Sequence, residues 1–160
     1  NRSDFNIGQK LRVKIRKAEI DELKPCITLY PTNNYVNVVI TELDKFDKLV
    51  FNDTIELSFR DCLYDQEDSL YICLDSVLSD SRCPTGVNCF WEGNAEVRFK
   101  FEKYNEEPVM FSLNTHRGFA NEMIIDGYKF SLVGLSPYPV FEHPIKQEDY
   151  KAEIIVTRKY

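Results

Sequence analysis

The side chains able to do chemistry in this chain are few, and most are badly placed for it. Only His116 and His143 could act as general bases. A serine or cysteine nucleophile needs such a base within hydrogen-bond reach and a third group to orient it. Neither histidine lies in a recognisable catalytic pattern: His116 precedes Arg117 in a loop, and His143 precedes Pro144. Carboxylates cluster at Asp61, Asp65, Glu67, Asp68, Asp75 and Asp80. Calcium would require six to eight oxygens converging on one point, yet the spacing matches no calcium loop, and an acidic solvated turn accounts for these residues more simply. A glycine-rich phosphate loop and a His-Glu-x-x-His zinc motif are both lacking. No catalytic residue, metal or cofactor is expected, and the chain reads as a non-enzyme.

The densest constellation is Asp80-Ser81-Arg82-Cys83-Pro84-Thr85-Gly86-Val87-Asn88-Cys89-Phe90-Trp91-Glu92-Gly93, which holds two of the five cysteines and the only tryptophan. The C-x5-C spacing of Cys83 and Cys89, with no histidine nearby, suits zinc poorly. It suits a short disulfide-closed loop, worth roughly 2–2.5 kcal/mol by loop entropy, and with it an oxidising compartment. A second pairing follows from turn chemistry. If Glu67-Asp68 are the central residues of a hairpin turn, Cys62 faces Cys73 across the strands, within reach of a disulfide. Two alternatives stay open: Cys26 bonded to either of them, or all three reduced and buried. With an odd count, at least one thiol lacks a partner within the chain.

The elements that would carry these residues are strands. Leu11, Val13 and Ile15 alternate with basic residues, a period of two that predicts a strand with one buried face. Pro25, Cys26 and Pro31 fall in a loop or short edge strand, and Asn33-Asn34 signals a turn. Tyr35–Thr41 is β-branched enough for a strand, whereas Glu42–Lys48 is expected as a helical turn or loop. Ile55–Phe59, Leu70–Leu78 and Ala95–Glu102 are strand candidates, and Val109–Leu113 returns antiparallel. Asp126-Gly127 sits between Met123–Ile125 and Tyr128–Leu135 as a hairpin signal, and Tyr150–Arg158 closes the series. Ser136-Pro137-Tyr138-Pro139 ends its strand, because proline cannot donate to a ladder. Many short strands and no amphipathic helix longer than a turn or two predict an all-β antiparallel β-sandwich, with a barrel as the alternative. We expect residues 53–160 to form the core, with 1–52 as an N-terminal β extension packed on it or continuous with it.

Bulk properties narrow the partners. A net charge of −6 excludes nucleic acid as the main ligand, since such proteins show a basic footprint. No apolar run reaches the ~18–20 residues that span a bilayer. Asn1-Arg2-Ser3 and Asn52-Asp53-Thr54 fit the N-glycosylation acceptor pattern.

The blocks Asp80-Ser81-Arg82-Cys83-Pro84 and Cys89-Phe90-Trp91-Glu92-Gly93, with Leu132–Pro139 and the late Tyr150–Ile154 strand, resemble an uncharacterised family of bacterial secreted lipoproteins. The resemblance organises roughly residues 53–160 and has no counterpart in the first fifty. It implies export to the cell envelope and an N-terminal lipid anchor just before Asn1, and it supplies no activity.

Function is therefore expected to be non-catalytic: a cell-envelope binding module for a protein or glycan partner. An inhibitor of an extracellular hydrolase and a purely structural accessory domain are the alternatives. Candidate binding residues are Arg82, Trp91, His116, Arg117 and Tyr138. Arg82 and Trp91 are types enriched at binding hot spots. The simpler expectation packs Trp91 on the Cys83–Cys89 bridge and ties Arg82 to an acid such as Asp80.

Overall fold

The computed structural model describes residues 10–19 and 38–159. Cys26, Pro25, Pro31, Asn33, Asn34 and Asn1 lie outside them. The chain divides into two compact units, residues 1–46 and 47–160. The division falls before the expected one at 52/53, because Leu49 is buried in the core of the second unit and Phe51 packs against it.

In the first unit, β1 (Lys10–Lys17) pairs antiparallel with β2 (Val38–Lys48). Two expectations are corrected here. Glu42–Lys48 is neither helical nor loop; it extends the strand, with Leu43 opposite Val13 and Lys45 opposite Leu11. Strand pairing overrides a weak local preference. Val13 and Ile15 of β1 are also not on a buried face, at 45% and 54% exposed.

The second unit carries β3 (Thr54–Ser58), β4 (Cys62–Asp65), β5 (Leu70–Asp80), β6 (Ala95–Lys103), β7 (Val109–Asn114), β8 (Glu122–Ile125), β9 (Tyr128–Ser136) and β10 (Lys151–Arg158). One sheet runs β4-β5-β6-β7 and the other β3-β10-β9-β8, every pair antiparallel. The protein is all-β, and neither sheet closes on itself, so the barrel alternative is set aside for the β-sandwich. A 3-10 turn at Gln147–Asp149 precedes β10.

The alternation in β6 explains why two sheets meet face to face. Ala95, Val97, Phe99 and Phe101 are all buried, while Glu96, Arg98, Lys100 and Glu102 are only partly covered. Opposite them stand Phe130 and Leu132 of β9 and Ala152, Ile154 and Val156 of β10. The aromatic rings mesh at favourable separations: Phe130 lies 5.4 Å from Phe101 and 5.1 Å from Phe111, centroid to centroid. Such contacts add about 0.5–1.5 kcal/mol each beyond burial.

Bulges reset the inward phase where strict alternation would fail. The β5–β6 register skips Asp75 and then Leu78, so burial moves from Leu74 to Val77 and leaves Leu78 46% exposed. Val133 is skipped in the β9–β10 register, which returns Leu135 to the core. An extra residue on one strand twists it locally and re-aims the side chains beyond it.

Cys62 faces Cys73 in the β4–β5 register, and the two are bonded. Cys83 and Cys89 are bonded as well. Two disulfides indicate an oxidising, extracellular environment. No helix among the described residues is long and apolar enough to cross a membrane.

Candidate functional site

The connection from β5 to β6 is the conspicuous irregular segment of the sandwich. It starts as a continuation of the hairpin: Ser81 N–H donates to Asn94 O at 2.7 Å and Cys83 N–H to Glu92 O at 2.8 Å. Gly93 makes that narrow base feasible. Its φ is +78°, and a Cβ there would lie 1.9 Å from Ser81 O and 2.7 Å from Arg82 Cα. No other residue fits without moving backbone. Beyond this neck, the Cys83–Cys89 bridge closes the tip.

Arg82 points inward from the neck. It is buried, and its Nε and Nη2 grip the two oxygens of Asp80 at 2.9 and 2.6 Å. Nη1 donates to Leu135 O, Nη2 also reaches Pro137 O at 2.9 Å, and the guanidinium lies 5.1 Å from the Tyr138 ring centroid. Tyr150 donates its hydroxyl to the same Asp80 carboxylate at 3.0 Å. Burial pushes the Asp80 carboxyl up, but the side-chain and backbone bonds from Arg82 outweigh it and hold the group below its ordinary value. For Tyr150, burial and then the Asp80 charge push the phenol up to about 12. A guanidinium so enclosed is a tie between β5 and the end of β9. Arg82 is accordingly withdrawn as a contact for a partner, in keeping with the Asp80 pairing expected from the sequence. Tyr138 remains half exposed, with one ring face given to Arg82.

Trp91 departs from the expected core position. It is 52% exposed, and the preceding Phe90 is fully exposed. The indole lies 5.9 Å from the His116 ring, and His116 lies 5.8 Å from Phe119, itself half exposed. Trp91, His116 and Phe119 thus form a row of rings assembled from the β5–β6 and β7–β8 connections. Of the candidate residues, the structure brings Trp91 and His116 together, with Arg117 following His116 in an exposed position. It sets Arg82 and Tyr138 in a separate cluster.

Hydrogen bonds fix the loop that presents His116. Its Nδ1 accepts from Gly118 N–H at 2.9 Å, which leaves Nε2 toward Glu92 at 3.7 Å. Asn94 joins the two connections: its amide donates to Asn114 Oδ1 at 2.7 Å, and its own Oδ1 accepts from His116 N–H at 3.1 Å. Thr115 Oγ1 accepts from Ala95 N–H at 2.8 Å, and Asn114 donates twice to Ala120 O. Loops so cross-linked are set before any partner arrives, which lowers the ordering cost of binding. Asn94, Asn114, Phe90 and Phe119 are absent from the candidate binding residues named from the sequence. Phe90 alone carried a signal there, as an aromatic residue inside a turn-rich, bridged loop.

The remaining chemistry-bearing groups do not assemble. Asp65, Glu67 and Asp68 all face Arg158, at 3.3, 3.2 and 2.9 Å. Asp75 pairs with Arg98 at 2.7 Å and Asp80 with Arg82. Three of these carboxylates thus surround Arg158 and one each meets Arg98 and Arg82, and no group of three ligands able to hold a metal exists among the described residues. His143 bonds its own loop, Nδ1 to Phe141 O at 2.9 Å. It lines an open groove of about 560 Å³ with Leu78, Val140, Phe141 and Ile145.

Compared with protein families, curated proteins and solved structures, the chain gives no match.

Proposed function

We propose that this chain is an exported, non-catalytic interaction module of the cell envelope, which contacts its partner through the loop end carrying Phe90, Trp91, His116 and Phe119. The observation that carries this reading is the exposure of large aromatic rings on loops that are already bonded in place. Burying an exposed indole or phenyl contributes about 1.5–3 kcal/mol, and interface hot spots favour tryptophan held in a rigid setting. Loops on a stiff scaffold are where binding residues concentrate.

The fully exposed Phe90 beside a bridged tip favours one second reading, insertion of that tip into the cleft of an extracellular hydrolase. Affinity capture from envelope and culture-medium extracts, run in parallel with the wild-type chain and a Phe90→Ala/Trp91→Ala double variant, tests both. A partner retained by the wild type and lost by the variant supports the proposal. Retention by both would remove this surface from consideration. Inhibition of a captured hydrolase would select the second reading.

A further inference from the structure

We propose that the open edge of β7 pairs with the same strand of a second copy of this chain, antiparallel about a two-fold axis at Phe111. β7 is the last strand of its sheet. Thr115 N–H turns toward β6, to Ala95 O at 3.0 Å, whereas Asn114 N–H turns away from it, to Ala120 O at 2.9 Å. The β6–β7 register runs unbroken from Asn114 back to Val109, and the direction of the backbone groups alternates along a strand. Met110 and Ser112 therefore point their N–H and C=O groups outward, as Asn114 does. Neither has a partner there among the described residues.

Sheet edges are normally blunted by charge, by proline or by a covering loop. Val109–Asn114 carries neither charge nor proline. Blunting begins only at its ends, with Pro108, which has no N–H, and with Asn114, whose N–H Ala120 has taken. The free window from Met110 to Ser112 is self-complementary. An antiparallel register with Met110 opposite Ser112 lets each donate to the other's carbonyl, and the two-fold axis repeats the exchange. Every free N–H and C=O of both windows is then used. The same register sets Val109 of one copy opposite Leu113 of the other.

Charge selects a second copy over an unrelated strand. Glu106 and Glu107 precede β7 and Arg117 follows it, all three exposed and without an ion pair among the described residues. Antiparallel pairing about Phe111 brings the acidic end of each strand to the basic end of the other. Opposite charges across paired strands are favourable, and such complementarity fixes register. The core is also open on this side. Val109 and Met123 stand opposite the buried Phe101 and Phe130 and share their inward face, yet they are 40% and 36% exposed. A second β7 covers Val109 with its own Leu113. Because the contact is isologous, it closes as a dimer and does not propagate into a fibre. Its few backbone bonds make it a small, concentration-dependent interface.

The test is sedimentation velocity of the full chain over a concentration series up to millimolar, in a Cys26→Ser background so that no intermolecular disulfide contributes. Folding of each variant is checked by circular dichroism. A reversible monomer–dimer equilibrium is expected. Ser112→Pro removes an outward N–H, which β6 does not use, and should abolish the dimer. Arg117→Glu, an exposed change that leaves the fold intact, should weaken it about threefold to tenfold. Adding Glu106→Arg and Glu107→Arg to that variant reverses both ends of the strand and should restore the wild-type equilibrium. Phe90→Ala/Trp91→Ala should leave the dimer unchanged, which separates this edge from the aromatic loop end. A chain that stays monomeric throughout would overturn the proposal. So would a dimer that survives Ser112→Pro, or one that the charge reversal fails to restore. A monomer that instead captures a different protein, and loses it on Ser112→Pro, would overturn the second copy as the occupant.

Discussion

Arg82 and Arg117 each neighbour an aromatic ring cluster at the loops of one sandwich, but their surroundings differ in nearly every physical respect. Arg82 is buried, paired with Asp80 through two bonds and bonded to two backbone carbonyls, with Tyr138 against its guanidinium plane. Arg117 is exposed and unpaired among the described residues, and it follows His116, whose ring lies 5.9 Å from that of the half-exposed Trp91. Residue type alone does not separate a structural tie from a contact surface. What separates them is whether the donors are already satisfied. A guanidinium whose acceptors are supplied by its own fold has little to offer a ligand, and removing it damages the fold. One left in water costs the fold little, and its chemistry remains available.

That contrast is broken most severely at the tie. Arg82→Ala strands the buried Asp80 carboxylate, and loss of one partner of a buried ion pair costs about 3–5 kcal/mol. Denaturant unfolding should show a lower midpoint of that size. An unchanged midpoint would mean that the pair contributes nothing. Gly93→Ala comes next. A Cβ 1.9 Å from Ser81 O, on a backbone at φ +78°, forces the neck open at a cost on the order of 2–3 kcal/mol, read as a fall in melting temperature.

Removing the tip bridge by Cys83→Ser/Cys89→Ser should cost about 2–3 kcal/mol. It should also weaken partner capture, because the tip would then have to be ordered on binding. Acid and alkali probe the same cluster. The folded pKa of Asp80 lies below its unfolded value. Its stabilisation is therefore complete above the unfolded value near 4 and disappears as pH falls through the lower folded value. Tyr150 and Tyr128 run the other way. Their folded pKa values are about 12 against an ordinary 10.0, so the unfolded chain loses those protons first. Stability should fall as pH rises from 10.0 toward about 12. Arg82→Ala should blunt the acid limb and leave the Tyr128 part of the alkaline limb in place.

Much of this fold could be read before any coordinates. Alternation in Ala95–Glu102 marked a buried and an open face, and the Glu67-Asp68 turn placed Cys62 opposite Cys73, because a hairpin turn sets the register of everything beyond it. The bulges at Asp75, Leu78 and Val133 were not legible, since an extra residue shows only against a paired strand. Glu42–Lys48 failed for the same reason: its partner in β1 lies some thirty positions away.

The loop end was half legible. Arg82 with Asp80 is a local pair two residues apart, and such pairs can be guessed. Trp91 was expected to pack on the bridge because a tryptophan after a constrained loop often fills a core. Its ring instead meets His116, which is held on another connection by Asn94 and Asn114 across twenty residues. No local pattern carries that information.

The smallest expected effect on stability belongs to the residues assigned the largest effect on binding, and this pairing is the central claim. Phe90→Ala/Trp91→Ala should lower the unfolding free energy by only about 1 kcal/mol, the size of one half-exposed ring contact, while abolishing retention of the partner. The direct measurement is denaturant unfolding of that double variant alongside capture from envelope extract. A stable variant that no longer retains the wild-type partner is the predicted result. A variant that retains the partner unchanged, or one destabilised as severely as Arg82→Ala, would contradict it.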